Sequence, residues 1–300
     1  MTIHTLERRP EADRPKDRAR RSRLLSLVLL ILSLLLMAYP VAATVWNDYR
    51  NVEVARKYEE EVTQSPDTLA GVRDRAEEYN TWLDSAGHHY RREDPADPEY
   101  QDYLSQLRVA EGSSIMSRLT IPDIGVDLPV YHGTTDDVLY RGAGHMYGSD
   151  LPIGGDGNTA VITAHTGMVN ASMFDNLYKL KEGESVYVSV LGEKLRYRMT
   201  GSEIVKPDEY DAVTYEEGVD KIVLITCTPY GINSDRLLVT AVRDHTPLTV
   251  DEMDSGWRVQ LSWWMKLDLA LMAVIAAVAM WSALHRRRKL RKEESEAAAG

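Results

Sequence analysis

The 300-residue sequence holds one cysteine and one phenylalanine. A single thiol excludes any internal disulfide. On an exported chain that thiol must be well buried or put to use. The shortage of phenylalanine excludes little, because 16 Tyr and 6 Trp supply aromatic surface. A basic centre is also missing. Residues 1–23 carry net +4 and residues 285–300 net +3, so the total of −11 leaves −18 between them. An acidic middle argues against nucleic acid as a partner. Basic ends fit the positive-inside rule if both termini are cytoplasmic. The length allows one or two domains with ample chain for a core.

Long uncharged runs are confined to the two ends. Leu24–Trp46 lacks any charged residue. At ~1.5 Å per residue it spans a bilayer core of ~30 Å. Pro40 falls near its outer end, and Trp46 and Tyr49 suit the interface. Val41-Ala42-Ala43 looks like a cleavage site, but the run exceeds a usual signal core, so an uncleaved anchor is expected. The second run, Leu269–Leu284, follows Trp263-Trp264 and precedes the basic cluster His285–Lys289. An Asp at mid-membrane costs ~3 kcal/mol, which places Trp263–Asp268 at the outer interface.

The expected organisation is a basic cytoplasmic arm over 1–23 without apolar periodicity and disordered, a transmembrane helix over 24–46 and a helical stalk over 47–84. A patternless segment covers 85–113 and a β domain 114–245. A connector over 246–260, a second transmembrane helix over 261–284 and a cytoplasmic basic tail over 285–300 complete the chain. In the stalk, Ala55, Tyr58, Val62 and then Val72, Ala76, Tyr79, Leu83 recur at helical spacing, with a break at Ser65-Pro66-Asp67 where Ser65 or Asp67 can cap. Segment 85–113 carries His88-His89 and two Asp-Pro pairs, and patternless stretches of this length are functional or disordered. The histidine pair has no further ligand at suitable spacing, so no metal site is expected.

From Ser114 the pattern is β. Strands are expected at Ile115–Ile121, Val126–Tyr131, Thr159–Ala164, Glu184–Leu191, Lys194–Thr200, Ile204–Lys206, Ile222–Thr226 and Leu237–Val242. Eight short strands with little helix give a mainly β fold, a closed or nearly closed eight-stranded barrel. A short helix about Ala171–Leu180 is expected to pack Met173, Leu177 and Leu180 against it.

The stretch Lys221–Arg243 reads as strand, loop, strand. Cys227 ends the first strand, turn formers fill Thr228–Asp235, and Arg236 opens the second strand. A hairpin-like connection brings both side chains to one rim, where a cation stabilises a thiolate and holds a developing oxyanion. The competing readings are a buried structural Cys and a surface Arg in a weak pair with Asp235. For a base, His165 follows an apolar strand and precedes Thr166-Gly167; by spacing alone, His132 and His145 stay open.

Leu224-Ile225-Thr226-Cys227, with Arg236 nine residues on, resembles the signature of sortases, and the run Thr226-Cys227-Thr228-Pro229-Tyr230-Gly231-Ile232-Asn233 resembles their class C, pilus-building branch. Ile121–Thr134, Gly144-His145 and Leu151–Gly155 resemble the same class. The resemblance implies the eight-stranded sortase barrel. It also implies catalysis by Cys227, by His165 within Thr163-x-His165-x-Gly167, and by Arg236, with Thr226 and Thr228 as substrate-binding neighbours. It further implies a lid over residues 85–113 that inserts an Asp-Pro-aromatic tripeptide. Here neither proline precedes an aromatic directly, and the expected anchors are Asp94 or Asp97 with Tyr100.

The implied activity is that of a membrane-anchored cysteine transpeptidase. It cleaves LPxTG-like sorting signals through a thioacyl intermediate and joins the acyl group to a pilin lysine. The implied partners are pilin subunits or surface proteins and the lipid bilayer; no metal or organic cofactor is required. One alternative is attachment of surface proteins to cell-wall peptidoglycan. Another is a scaffold that binds sorting signals without turnover. A soluble cysteine protease of another fold is excluded by the two apolar runs and the absence of a helical domain around the Cys.

Overall fold

The computed structural model describes residues 15–109, 113–253 and 259–299. The chain divides into two compact units, one comprising Ala42–Ser262 and the other the segments up to Val41 and from Trp263 onward.

Helix α1 (Pro15–Gln64) and α2 (Pro66–Ala86) come first, followed by α3 (Pro98–Ser105). The strands are β1 (Ile115–Ile121), β2 (Val126–His132), β3 (Ala143–His145), β4 (Thr159–Thr163), β5 (Ser185–Val190), β6 (Glu193–Val205), β7 (Lys221–Thr228) and β8 (Asp235–Arg243). A short α4 (Asp136–Leu139) precedes β3, and α5 (Val250–Met253) and α6 (Trp263–Ala299) follow β8. The strands close into a barrel in the order β1-β2-β3-β4-β7-β8-β6-β5. Closure leaves no unpaired edge for another chain to extend.

The alternation of apolar residues explains the barrel's two faces. Leu119, Ile121, Ile162, Leu224 and Val239 belong to the main core, whereas Val161, Val223 and Leu238 form a second small apolar cluster. The stalk residues singled out by spacing — Tyr58, Val62, Val72, Ala76, Tyr79 and Leu83 — are buried in that same main core. Tyr58 Oη donates to Met116 O at 2.8 Å and accepts from Leu191 N at 3.1 Å, so α1 is tied to the barrel by its buried face. Arg118 on β1 forks onto Asp127 of β2 at 2.8 and 2.6 Å and also reaches Glu59 of α1. Ser65 occupies the N-cap of α2 but makes no side-chain cap hydrogen bond; Pro66 opens the helix instead.

The strand total agrees with expectation by compensation. β3 has three residues with Gly144 in the middle, too short to carry a period-2 pattern. Conversely, the separate strands expected at Lys194–Thr200 and Ile204–Lys206 are one strand, β6, whose pairing with β8 shifts register between Met199 and Gly201. A bulge of this kind reads as a break in sequence while the ladder continues in space.

Two other expectations need correction. In place of a helix over Ala171–Leu180 there is one 3₁₀ turn, Leu177–Lys179. Met173 has φ +40°, which no helix accommodates, although Met173, Leu177 and Leu180 are buried as expected. The arm expected to be disordered is helical from Pro15, where α1 starts; residues 1–14 lie outside the described residues.

In the second unit, α6 and the part of α1 before Val41 expose apolar side chains such as Leu32, Leu36, Leu271 and Trp281. Both helices are long and apolar enough to cross a membrane. Exposed apolar surface on this scale supports association with a membrane.

Candidate active site at the ends of strands β4, β7 and β8

The barrel's pairing pattern builds one rim. β4 and β7 are parallel, so their C-terminal ends lie side by side; β8 is antiparallel to β7, so it begins where β7 ends. Cys227 and Arg236 are direct register partners across β7 and β8. Thr163 pairs with Ile225, and Ala164 N continues the ladder to Ile225 O at 3.2 Å. Two residues further along each parallel strand stand His165 and Cys227.

Thr226 stitches the two ends together. Its hydroxyl donates to Ala164 O at 2.7 Å and meets the Thr166 hydroxyl at 2.6 Å. Thr226 is buried, and its hydroxyl links the chain on either side of His165 and Cys227. Thr228, half-buried, pairs with Asp235 at the open end of the β7–β8 ladder.

The loop after His165 is held from below. Phe174 N donates to His165 O at 3.0 Å, and Gly167 N donates to Asp175 Oδ1 at 2.8 Å. Gly167 has φ +82°, a conformation that a side chain disfavours. Buried Asp175 also accepts from Ser262 Oγ at 2.8 Å and is hydrogen-bonded to Tyr230 of the β7–β8 loop. One carboxylate thereby couples the His165 loop to the loop between Cys227 and Arg236. No local pattern marks Asp175, because its partners Tyr230 and Ser262 are remote in sequence.

Cys227 is partly exposed, contrary to the reading of a buried structural thiol. No hydrogen bond joins it to the His165 imidazole, and such contacts are often loose before substrate arrives. The Arg236 guanidinium donates to Asp235 O at 3.1 Å and Asn233 O at 3.4 Å. The Asp235 carboxylate is taken by Lys206 and Ser234, and the Lys206 hydrogen bond holds it below the usual range. In place of the competing reading of a surface pair between Arg236 and Asp235, the Asp235 carboxylate pairs with Lys206.

The other barrel histidines are packing residues. His145 is fully buried, its Nε2 bonded to Asp150 O at 2.7 Å and its Nδ1 to Tyr103 Oη at 3.0 Å. His132 Nε2 bonds Gln106 O at 2.8 Å. Burial lowers both imidazoles to about 4, which keeps them neutral at pH 7.

Beside the rim lies a groove of about 430 Å³. Val161, Ile225 and Leu238 line it with Arg236, while Val213 and Tyr215 come from the β6–β7 connection. Cys227 and His165 are not among its lining residues, so the groove reaches the rim on the Arg236 side.

The far wall comes from His88, His89 and Tyr90. The expected lid anchors lie elsewhere. Asp97 caps α3 by accepting from Glu99 N at 2.9 Å, and Asp94 accepts from Ala96 N at 2.9 Å. Tyr100 is buried against Tyr103 and Tyr147, with its hydroxyl on Glu93 at 3.1 Å. The His88–Tyr90 segment closes on the barrel where Arg91 N meets Tyr147 O at 3.1 Å and where His89 O approaches Gly148; a Cβ at Gly148 would lie 2.0 Å from that oxygen.

Comparison with known proteins agrees with this architecture. Residues 119–244 match the sortase domain model. The crystal structure of sortase C-1 from Actinomyces oris is 45% identical, covering 60% of this chain and all of that one, with a TM-score of 0.55. Clostridium perfringens sortase C, solved with the C-terminal cell wall sorting motif, is 29% identical over 65% of this chain and all of that one, with a TM-score of 0.56. Among curated proteins, sortase A of Bacillus anthracis is 30% identical over 125 residues, 42% of this chain. The chain spans 58% of that relative's length. The class C resemblance of the sequence motifs is supported by the solved class C structures, and the chain belongs to the sortase family.

Proposed function

We propose that this chain is a membrane-anchored cysteine transpeptidase that cleaves LPxTG-like sorting signals and transfers the acyl group to a lysine of a pilin subunit. The observation that carries the reading is the pairing of Cys227 with Arg236 across β7 and β8, at the rim where β4 delivers His165. The solved sortase C with a sorting motif supports the substrate class.

The Cys227 thiolate attacks the Thr–Gly carbonyl carbon, and the carbonyl π pair moves onto oxygen. Arg236 holds that oxyanion with a planar fork that an ammonium cannot reproduce. The C–N bond breaks as His165 gives its proton to the leaving glycine amine, leaving a thioacyl-enzyme. A lysine amine attacks next, His165 takes its proton, and the thiolate departs as the isopeptide bond forms. The apolar residues Val161, Ile225 and Leu238 suit the Leu-Pro part of the signal. Transfer to peptidoglycan uses the same chemistry with a different amine. Two apolar helices, one before and one after the barrel in the sequence, with basic residues beyond each, are consistent with both termini being cytoplasmic.

The test is intact-mass spectrometry of the full chain in detergent micelles with an LPxTG-type peptide, with and without a lysine-bearing pilin fragment. The expected result is a mass increase on Cys227 that disappears as an isopeptide product forms. A peptide that binds but never yields an adduct, across several sorting motifs, would overturn catalysis in favour of a binding scaffold.

A further inference from the structure

His88 is held by more than packing. Its Nε2 lies 2.8 Å from Asp150 Oδ1 and 3.6 Å from Asp84 Oδ1, and the three ligand atoms lie within 4.8 Å of one another. Asp84 is one helical turn before His88, near the end of α2, and Asp150 comes from the connection between β3 and β4. The sequence pairs His88 with His89, but the structure turns them apart: His89 Nδ1 bonds Gly87 O at 3.0 Å.

The surroundings suit a cation. Asp150 is buried, and its second oxygen is fixed by Thr159 N at 2.8 Å, which leaves Oδ1 directed at His88. Asp84 is exposed and free to adjust. Asp84 and Asp150 also border a cavity of about 160 Å³, roomy enough for coordinated water. The Tyr215 ring stacks on His88 at 4.2 Å, and its hydroxyl is buried without a hydrogen-bond partner. Tetrahedral bonds of ~2.0–2.1 Å separate ligand atoms by roughly 3.3 Å. The 3.6 Å between His88 and Asp84 is close to that value, and the 2.8 Å between His88 and Asp150 opens by roughly 0.5 Å to admit the ion.

We propose that Asp84, His88 and Asp150 form a site for a divalent transition cation of the zinc class, which pins the His88–Tyr90 segment to the barrel beside the Arg236 groove. One imidazole with two carboxylates favours zinc over magnesium or calcium, which take oxygen ligands. Three protein ligands leave the fourth position to water. The consequence for catalysis rests on the groove being the sorting-signal site; the binding site itself does not.

The experiment titrates ZnCl₂ into untagged full-length protein in detergent micelles against a chromophoric chelator, and follows hydrogen exchange over residues 86–92. The expected result is one zinc per chain, not displaced by excess Mg²⁺, with slower exchange in that segment. His88→Gln and Asp84→Asn should each weaken binding by more than the ~10-fold that loss of even an outer-shell partner costs. Zinc should also slow sorting-peptide cleavage in the wild type and not in Asp84→Asn. Absence of binding, or affinity and exchange unchanged in both variants, overturns the proposal. A chain that binds zinc at this site but never cleaves a peptide contradicts the proposed function alone.

Discussion

The rim of β4, β7 and β8 and the segment before the barrel, residues 85–109, meet at the same groove but are held in different ways. At the rim, Cys227 and Arg236 are placed by backbone register, and Thr226 and Asp175 tie the neighbouring loops to it. The ladder makes the arrangement insensitive to any one side chain outside it. The His88–Tyr90 segment has no ladder. It rests on separate contacts: His88 to Asp150, Arg91 N to Tyr147 O, and Glu93 to the backbone and hydroxyl of Thr134. A register-built site is rigid; a wall held by a few side chains can open by local unfolding.

The largest effect is expected from breaking the rim's chemistry while keeping its register. Cys227→Ala should abolish both thioacyl adduct and isopeptide product in the intact-mass assay, with the melting temperature little changed. Arg236→Lys keeps the charge and loses the fork. It should lower kcat by about 10²-fold, as loss of an oxyanion donor does, with a smaller effect on KM.

Acid tests the packing histidines that the rim does not use. Their folded values of about 4 lie below the ordinary 6.5, so between those limits the unfolded chain binds more protons than the folded one. Stability is full above pH 6.5 and falls as pH drops toward 4. At pH 5 the loss is about 2 kcal/mol per histidine. Burial raises the Asp127 and Asp220 carboxyls, which offsets part of this loss. Chemical denaturation at pH 7 and pH 5 checks it, and a stability independent of pH there would show that the histidines are hydrated.

Thr226→Val should cost about 1–3 kcal/mol, because Ala164 O loses its buried hydroxyl donor. It should also lower turnover, since the ends of β4 and β7 are no longer stitched. Gly148→Ala addresses the segment. The added Cβ meets His89 O, and φ +97° adds strain, at a cost of about 1–2 kcal/mol. Hydrogen exchange over residues 86–92 should quicken, and sorting-peptide cleavage should rise; unchanged exchange would remove Gly148 as the seat of the segment.

Legibility differs along the same line. The strands flanking Cys227 are continuous, β-branched and bounded by turn formers, so their existence and the rim location of Cys227 and Arg236 follow from local pattern. β3 carries no period over its three residues, and the bulge between Met199 and Gly201 gives β6 the local pattern of two strands. Asp97 and Tyr100 are engaged within and beside α3. Asp97 is spent on capping α3, and Tyr100 is buried beside Tyr103. The links made by Asp175 to Ser262 and by Asp150 to His88 have no local signal, since they join residues 87 and 62 positions apart, whereas Asp84 lies only one turn before His88.

By itself the sequence determined the apolar runs at both ends, the amphipathic stalk, the β character of residues 114–245 and the chemical identity of Cys227, His165 and Arg236. These depend on side-chain type and short-range periodicity, which a linear chain already contains. The tertiary structure decided the parallel pairing of β4 with β7, the burial of His132 and His145 in packing positions, and which part of residues 85–109 faces the groove. Those outcomes depend on register and burial, and both arise only when residues distant in the chain compete for the same interior.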